Sequence, residues 1–241
     1  MVNPIPPTLL FAASIASAIT LKPIGTWSTG VFDEGAAEIV QYHPESQQLF
    51  IVNGNLPGID VVQISDPKNP TKSFSIPLDA HGDGVQSVAI HDDLIAVAVS
   101  SDPATDNGLV AFFDPKGALL QKVEVGPLPD MVTFTPDGSY LLVANEGEPS
   151  DDYSIDPPGS VSIIPIGTDP LTAYEDPVHL TFESFDGTTI EGLHPGNPAS
   201  SLSQNLEPEY IAVSPDGSIA MVTLQESNAI AIIDLEKKEI S

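Results

Sequence analysis

The sequence has no cysteine and no arginine. The first absence excludes disulfides and thiolate metal sites. The second removes the guanidinium forks that bind phosphate in bidentate fashion. Only seven residues are basic, all of them lysine, against 34 acidic ones, for a formal charge of -27. Nucleic acid needs a cationic footprint, so this balance argues against it as a partner. An acidic surface of this kind attracts cations, and it also keeps a protein soluble. Aromatic residues make up 6% of the chain, and Trp27 with the five tyrosines is scattered, as packing residues are. No His-Glu-x-x-His zinc pattern, Gly-x-Ser-x-Gly nucleophile elbow or Asp-x-Asp-x-Asp-Gly calcium loop occurs. Phosphate-cradling glycine loops are missing too, so no nucleotide cofactor is expected.

Long apolar runs are also lacking. Leu9 to Ile19 is apolar but too short to cross a bilayer, which takes about 20 residues. Ala16-Ser17-Ala18 resembles a cleavage site, yet no basic residue precedes Lys22, so the charged start of a secretory signal is missing. Residues 1–18 read as a leader, and no transmembrane segment is expected.

What the chain does have is a repeat. Pro208 to Leu235 reads PEYIAVSPDGSIAMVTLQESNAIAIIDL: three short apolar strands, a Pro-Asp-Gly turn and a polar corner. Pro129 to Ile166 repeats the unit as PDMVTFTPDGSYLLVANEGE followed, after a polar interruption, by GSVSIIPI. Ala37 to Ile64 and Val85 to Asp114 are two further copies. Each strand is β-branched or apolar and is bounded by Gly, Pro, Asn or Asp. No segment keeps a helical period. The residues opening the four inner strands are Glu38, Gln86, Asp130 and Glu209, spaced 48, 44 and 79 residues apart. A four-stranded propeller blade takes about 40–50 residues. The expected fold is therefore all-β, a β-propeller of four-stranded antiparallel blades near residues 36–78, 84–126, 128–182 and 207–241. The long third interval holds a Gly-, Pro-, Asn- and Ser-rich insertion, 183–207, read as a loop. Ile19 to Trp27 is expected to be an extra strand that completes a last blade from outside. Four blades is the low end for a propeller. The chain is thus expected to be part of a larger ring, about seven blades, with a closed four-bladed ring as the alternative. An open ring would leave an apolar face on the fourth blade.

Antiparallel blades bring the start of the first strand and the end of the second to one face. This predicts that Glu38, Asp130 and Glu209 share an axial face with the corner containing Asn145 and Glu146. The Gln225 to Asn228 corner, Asp33-Glu34-Gly35 and the insertion join them. Carboxylates and amides suit a hard cation such as calcium, which takes six to eight oxygens. The expected metal ligands are Glu38, Asp130, Asn145, Glu146 and Glu209; the alternative is that they only solvate a channel rim. The Pro136-Asp137-Gly138 and Pro215-Asp216-Gly217 turns fall on the opposite face and read as structural. The five histidines form no set, which argues against zinc.

FDEGAAEIV (Phe32–Val40), VANEGEPSDDY (Val143–Tyr153), GSVSII (Gly159–Ile164), and LEPEYIAVSPDG with VTLQESNAIAIIDL resemble the choice-of-anchor I domain. That domain is similar to mesenchyme-specific cell-surface glycoproteins and occurs in secreted bacterial proteins, some labelled alkaline phosphatase. The resemblance implies an extracellular or cell-surface propeller that continues beyond the position of Ser241. Gly192-Leu193-His194-Pro195 departs from the family, which usually has a basic, apolar stretch there. The functional expectation is a secreted binding module with a cation, and an unidentified extracellular partner, at the acidic face. A metal-dependent phosphoesterase using the same carboxylates is the enzyme alternative, with a metal-bound hydroxide as nucleophile. A purely structural scaffold is the third.

Overall fold

The computed structural model describes residues 20–33, 35–82, 84–167, 176–194 and 196–241. The leader 1–18, Ile19, Glu34 and Pro195 lie outside them. Among these residues, sixteen strands form four separate four-stranded antiparallel sheets, each in simple sequence order. The first blade is β1 (Val40–His43), β2 (Gln48–Asn53), β3 (Gly58–Gln63) and β4 (Thr71–Pro77). The second is β5 (Gly84–His91), β6 (Leu94–Ser100), β7 (Asn107–Phe113) and β8 (Leu119–Pro127). The third is β9 (Pro129–Phe134), β10 (Tyr140–Asn145), β11 (Ser160–Pro165) and β12 (Val178–Thr181). The fourth is β13 (Pro208–Val213), β14 (Ile219–Leu224), β15 (Ala229–Asp234) and the two-residue β16 (Glu239–Ile240).

Alternation along each strand sends one set of side chains toward the preceding blade and the other toward the next. Three apolar cores result, one per junction. Phe50, Val52, Ile59 and Val61 meet Val85, Val88, Ile95 and Val97 between the first two blades. Ala96, Ala98, Val110 and Phe112 meet Val132, Leu141, Val143 and Ile164 at the next junction. Leu142, Ala144, Val161 and Ile163 meet Ile211, Ala220, Val222 and Ile233 at the third. In the first three blades the middle strands are therefore buried on both faces, as in β6, LIAVAVS, whereas β14 and β15 of the fourth alternate buried and exposed. Inner strands pack in succession, β1 on β5, β5 on β9 and β9 on β13. Among the described residues no comparable packing joins β13 to β1, so the four blades form an open arc, not a closed four-bladed ring.

Two junctions share a spacer. Gly108, at the start of the third strand of its blade, lies under the ring of Pro129, where an added Cβ would come within 2.5 Å of Cδ. Gly159 lies under Pro208 in the same way, again 2.5 Å from Cδ, and also against the Leu206 carbonyl. Proline at the first residue of an inner strand surrenders no needed ladder bond.

The expected strand over Ile19–Trp27 is not formed: residues 20–32 pair with no sheet. Pro23 lacks a donor N–H, and the last blade this segment was expected to complete is not among these four; Gly25 lies against the Pro67 carbonyl. The insertion is largely loop, but it contains a 3-10 turn (Glu183–Phe185) and α1 (Leu202–Asn205). A capping box holds α1: Ser201 accepts from the Gln204 N–H, and Gln204 accepts from the Ser201 N–H at 2.8 Å. No helix among the described residues is long and apolar enough to cross a membrane.

Candidate functional site

Each inner strand opens with a bulge, and the residues that set the repeat register sit on it. In β5 the pairing slips between Val85 and Ser87, leaving Gln86 without an opposite residue. In β9, Pro129 pairs with Asn145 and Met131 with Ala144, leaving Asp130 unpaired. In β13 the slip falls between Pro208 and Ile211, at Glu209 and Tyr210. In the first blade Glu38 and Ile39 both bond to Val52, through Glu38 N–H to the Val52 carbonyl (3.1 Å) and Val52 N–H to the Ile39 carbonyl (2.9 Å). A bulge breaks the in–out alternation, so these side chains leave the core pattern and turn toward the mouth of the arc.

At the third and fourth blades the corners meet the bulges. The Glu146 N–H bonds to the Leu128 carbonyl at 2.9 Å, which fastens the corner after β10 to the entry of β9. Gly147 then takes φ +74°, and a Cβ there would lie 2.9 Å from Pro158 and Gly159. The turn aims the carboxylates of Glu146 and Glu148 at those of neighbouring strands. Burial, then the charges of Glu148, Asp130, Glu209 and Glu207, push Glu146 up to about 8. Burial and Glu226, followed by Glu148, Asp156 and Glu209, push Glu207 to about 7. Glu209 rises to about 7 through burial and a carboxyl–carboxyl hydrogen bond with Glu226. Asp130 is raised by burial and by Glu148. Among the described residues, none of the ion pairs includes any of these acids.

The insertion walls this mouth. Ser227 Oγ donates to the Asn205 carbonyl at 2.7 Å, and the His194 N–H donates to the Ser227 carbonyl at 3.0 Å. Ser203 donates twice to the Asp186 carboxylate. Between insertion and corners lies a cavity of about 400 Å³ lined by Glu148, Asp156, His194, Asn205, Glu207 and Glu226. His194, in the stretch that departs from the family pattern, thus lines the acidic cavity.

Of the expected ligands, Asp130, Glu146 and Glu209 come together. Glu38 does not join them: it is exposed, with its carboxylate at Gly35 and Gly54 of the first blade. Two blades separate it from Glu209 along the arc. Asn145 is fully buried, its amide donating to Ser160 Oγ (3.1 Å) and Ser162 Oγ (2.8 Å). Its counterpart Asn53 donates to Asp60 and accepts from the Leu56 N–H at 3.0 Å. No such partner reaches the Asn145 oxygen, which is buried without a hydrogen bond. Sequence reasoning left Glu148, Glu207 and Glu226 out of the ligand set. Glu148 and Glu226 stood on the right corners, whereas Glu207 stood at the end of a loop and gave no signal. Among the described residues, no three His, Asp or Glu side chains stand in ready coordinating positions. The geometry is that of a charged, uncompensated mouth.

Fold and mouth together define an open arc of propeller blades with an acidic axial face. Residues 38–241 match the profile of the choice-of-anchor I domain, and the chain belongs to that family. A search of curated proteins finds no match. Among solved structures, Kuenenia stuttgartiensis hydrazine synthase superposes with a TM-score of 0.58 at 14% identity, over 89% of this chain and 51% of that one. The Myceliophteria thermophila Cps50 (Swd1) β-propeller domain gives 0.55 at 12% identity, over 88% and 55%. A functionally unknown protein from Desulfotomaculum acetoxidans gives 0.51 at 21% identity, over 85% and 54%. These likenesses establish the propeller fold. The chain spans about half the length of the structures it matches.

Proposed function

We propose that the chain is the binding module of an extracellular or cell-surface protein, and that its acidic mouth takes a divalent cation, calcium first. The observation that carries this reading is the convergence of Asp130, Glu146, Glu148, Glu207, Glu209 and Glu226 without a lysine among them. Oxygen donors of this type suit calcium, whose six to eight ligands tolerate irregular geometry. A cation would relieve the repulsion that now holds protons on Glu146, Glu207 and Glu209. Membership of the choice-of-anchor I family supports the surface location.

Calorimetric titration with calcium and magnesium, paired with thermal melts, tests the reading. Binding only N stabilises N, so calcium should raise the melting temperature. Glu146→Gln and Glu209→Gln should abolish most of the rise. Absence of both heat and shift would sink the cation site. Turnover of a phosphomonoester that Glu209→Gln abolishes would make the mouth a hydrolase instead.

A further inference from the structure

The turn that closes β1 onto β2 departs from its counterparts. In the third and fourth blades the same turn reads Thr135-Pro136-Asp137-Gly138 and Ser214-Pro215-Asp216-Gly217. A left-handed glycine closes each, at φ +71° and +73°, and the aspartate bonds to the hydroxyls on either side. The first blade has His43-Pro44-Glu45-Ser46 instead. Here the left-handed residue is Gln47, at φ +53°, one place later. The shift lets a residue with a side chain stand at the glycine position, and that residue is a serine. The turn is anchored from the far side of β2. Gln63 Nε2 donates to the Ser46 carbonyl at 3.3 Å, and the Ile64 N–H donates to the Gln47 carbonyl at 2.9 Å.

Ser46 Oγ lies 2.7 Å from His43 Nδ1, and His43 Nε2 lies 3.1 Å from Asp93 Oδ1. Asp93 belongs to the next blade, on the turn between β5 and β6. The neighbours of the ring fix its tautomer. The Ser46 N–H, which can only donate, points at Nδ1 from 3.3 Å, so Nδ1 carries the lone pair. The Ser46 hydroxyl therefore donates to Nδ1 as well, while Nε2 bears the hydrogen and donates to Asp93. A serine bonded to a neutral imidazole, itself oriented by a carboxylate, is the arrangement of an activated nucleophile. The order is that of a Ser-His-Asp triad with the two ring nitrogens exchanged. The His43 ring is buried and meets the Phe50 ring edge-on at 6.4 Å, which holds its orientation. Ser46 is half-buried and opens on a cavity of about 610 Å³. The Gln48 amide and the Lys116 ammonium line that cavity and are donors for a developing oxyanion. Phe74 supplies an apolar wall, and Glu45 and Asp114 disfavour an anionic substrate.

We infer that Ser46 and His43 are the catalytic residues of an esterase site on the face opposite the acidic mouth, with Asp93 as a positioning residue and a neutral carboxylic ester as substrate. Ser46 Oγ attacks the ester carbonyl carbon while His43 Nδ1 takes the hydroxyl proton. The ester C–O bond breaks, and the alcohol leaves with that proton. Water then attacks the acyl-serine and gives a proton to Nδ1. The carboxylic acid departs, and Ser46 recovers its proton from His43. One ester and one water become one alcohol and one acid. Nucleophile and base come from the first blade and the orienting carboxylate from the second, so the site exists only where the two blades pack. It is independent of the cation proposed for the mouth.

Covalent labelling and ester turnover test this together. The 241-residue chain, treated with an alkyl fluorophosphonate and digested, should carry the phosphonyl group on the peptide that contains Ser46. With p-nitrophenyl acetate as substrate, Ser46→Ala should lower kcat/KM by about 10²–10⁴-fold while the chain stays folded by its melting curve. Asp93→Asn should lower kcat and leave KM unchanged, a split that a role confined to joining the blades would not produce. The response of the mouth to calcium should be the same in Ser46→Ala as in the unaltered chain. A folded chain with no label on Ser46, and with turnover equal to that of Ser46→Ala, would overturn the inference and leave the three residues as a clip between two turns. Turnover kept by Ser46→Ala but lost in Glu209→Gln would overturn it too, and would place the hydrolysis at the mouth.

Discussion

Glu209 and Glu226 bring their carboxyl groups into hydrogen-bonding contact across the mouth of the fourth blade. One of the pair must carry a proton for that bond to form. Glu209 arrives from a bulge and Glu226 from the corner after β14, so the contact is imposed by the blade itself.

Stability should therefore fall as pH rises through neutrality. Glu146, Glu207 and Glu209 titrate near 4.5 when unfolded but near 7 to 8 in the fold. Between those values the folded state binds more protons than the unfolded one. Its extra stability is complete below about pH 4.5 and is lost as pH climbs past 8. Asp137 and Asp216 act in the opposite window. Hydrogen bonds from Thr135 and Ser139, and from Ser214 and Ser218, hold both near 2 against the ordinary 3.8. Their contribution is present above about pH 4 and lost as pH falls toward 2. Melting curves across this range should peak near pH 4–5 and drop by roughly 3 °C or more by pH 8.5. A flat or rising profile from pH 5 to 8.5 would show that the carboxylates do not crowd one another.

Glu146→Gln should raise the melting temperature at pH 8 and change it little at pH 5. At pH 8 the substitution removes a charge from a crowd of five acids; at pH 5 the native glutamate is already neutral. Equal effects at both pH values would contradict the crowding.

How far the sequence led is instructive at particular residues. The middle strands were legible because Leu94–Val99 is an unbroken apolar run and Ser160–Pro165 carries Val161, Ile163 and Ile164 between turns. The Pro-Asp-Gly turns were legible because their chemistry is local: Asp137 accepts from Thr135 Oγ and Ser139 N–H within a few residues. The bulges were not, since a bulge exists only between two strands. Ile19–Trp27 looked like a strand by pattern, but the blade it was expected to complete is not among these four, and residues 20–27 pair with no sheet. Glu38 fitted the register of Asp130 and Glu209, yet register fixes a position within a blade and not a distance between blades. Glu207 was hidden because only the packed insertion brings it to the mouth.

Gly159→Ala should destabilise the junction between the third and fourth blades. The added methyl would strike Pro208 and the Leu206 carbonyl, and overpacking of this type costs about 1–3 kcal/mol. Gly108→Ala should do the same at the preceding junction, against Pro129. Urea denaturation of each variant measures the loss, and an unchanged midpoint would refute the spacer.

Leu142→Ala should cost about 2–5 kcal/mol, the range for a large buried aliphatic side chain. Leu142 is fully buried in the core shared by the third and fourth blades. Chemical denaturation reads the cost; less than about 1 kcal/mol would mean the junction repacks freely.

The opening bulge frees one position per blade from the demands of folding. Its side chain is neither a ladder partner nor a core residue, so exchanging it leaves strand register and core volume alone. Gln86, Asp130 and Glu209 are three different occupants of that position. The fold can thus be held constant while the chemistry of its rim is rewritten blade by blade.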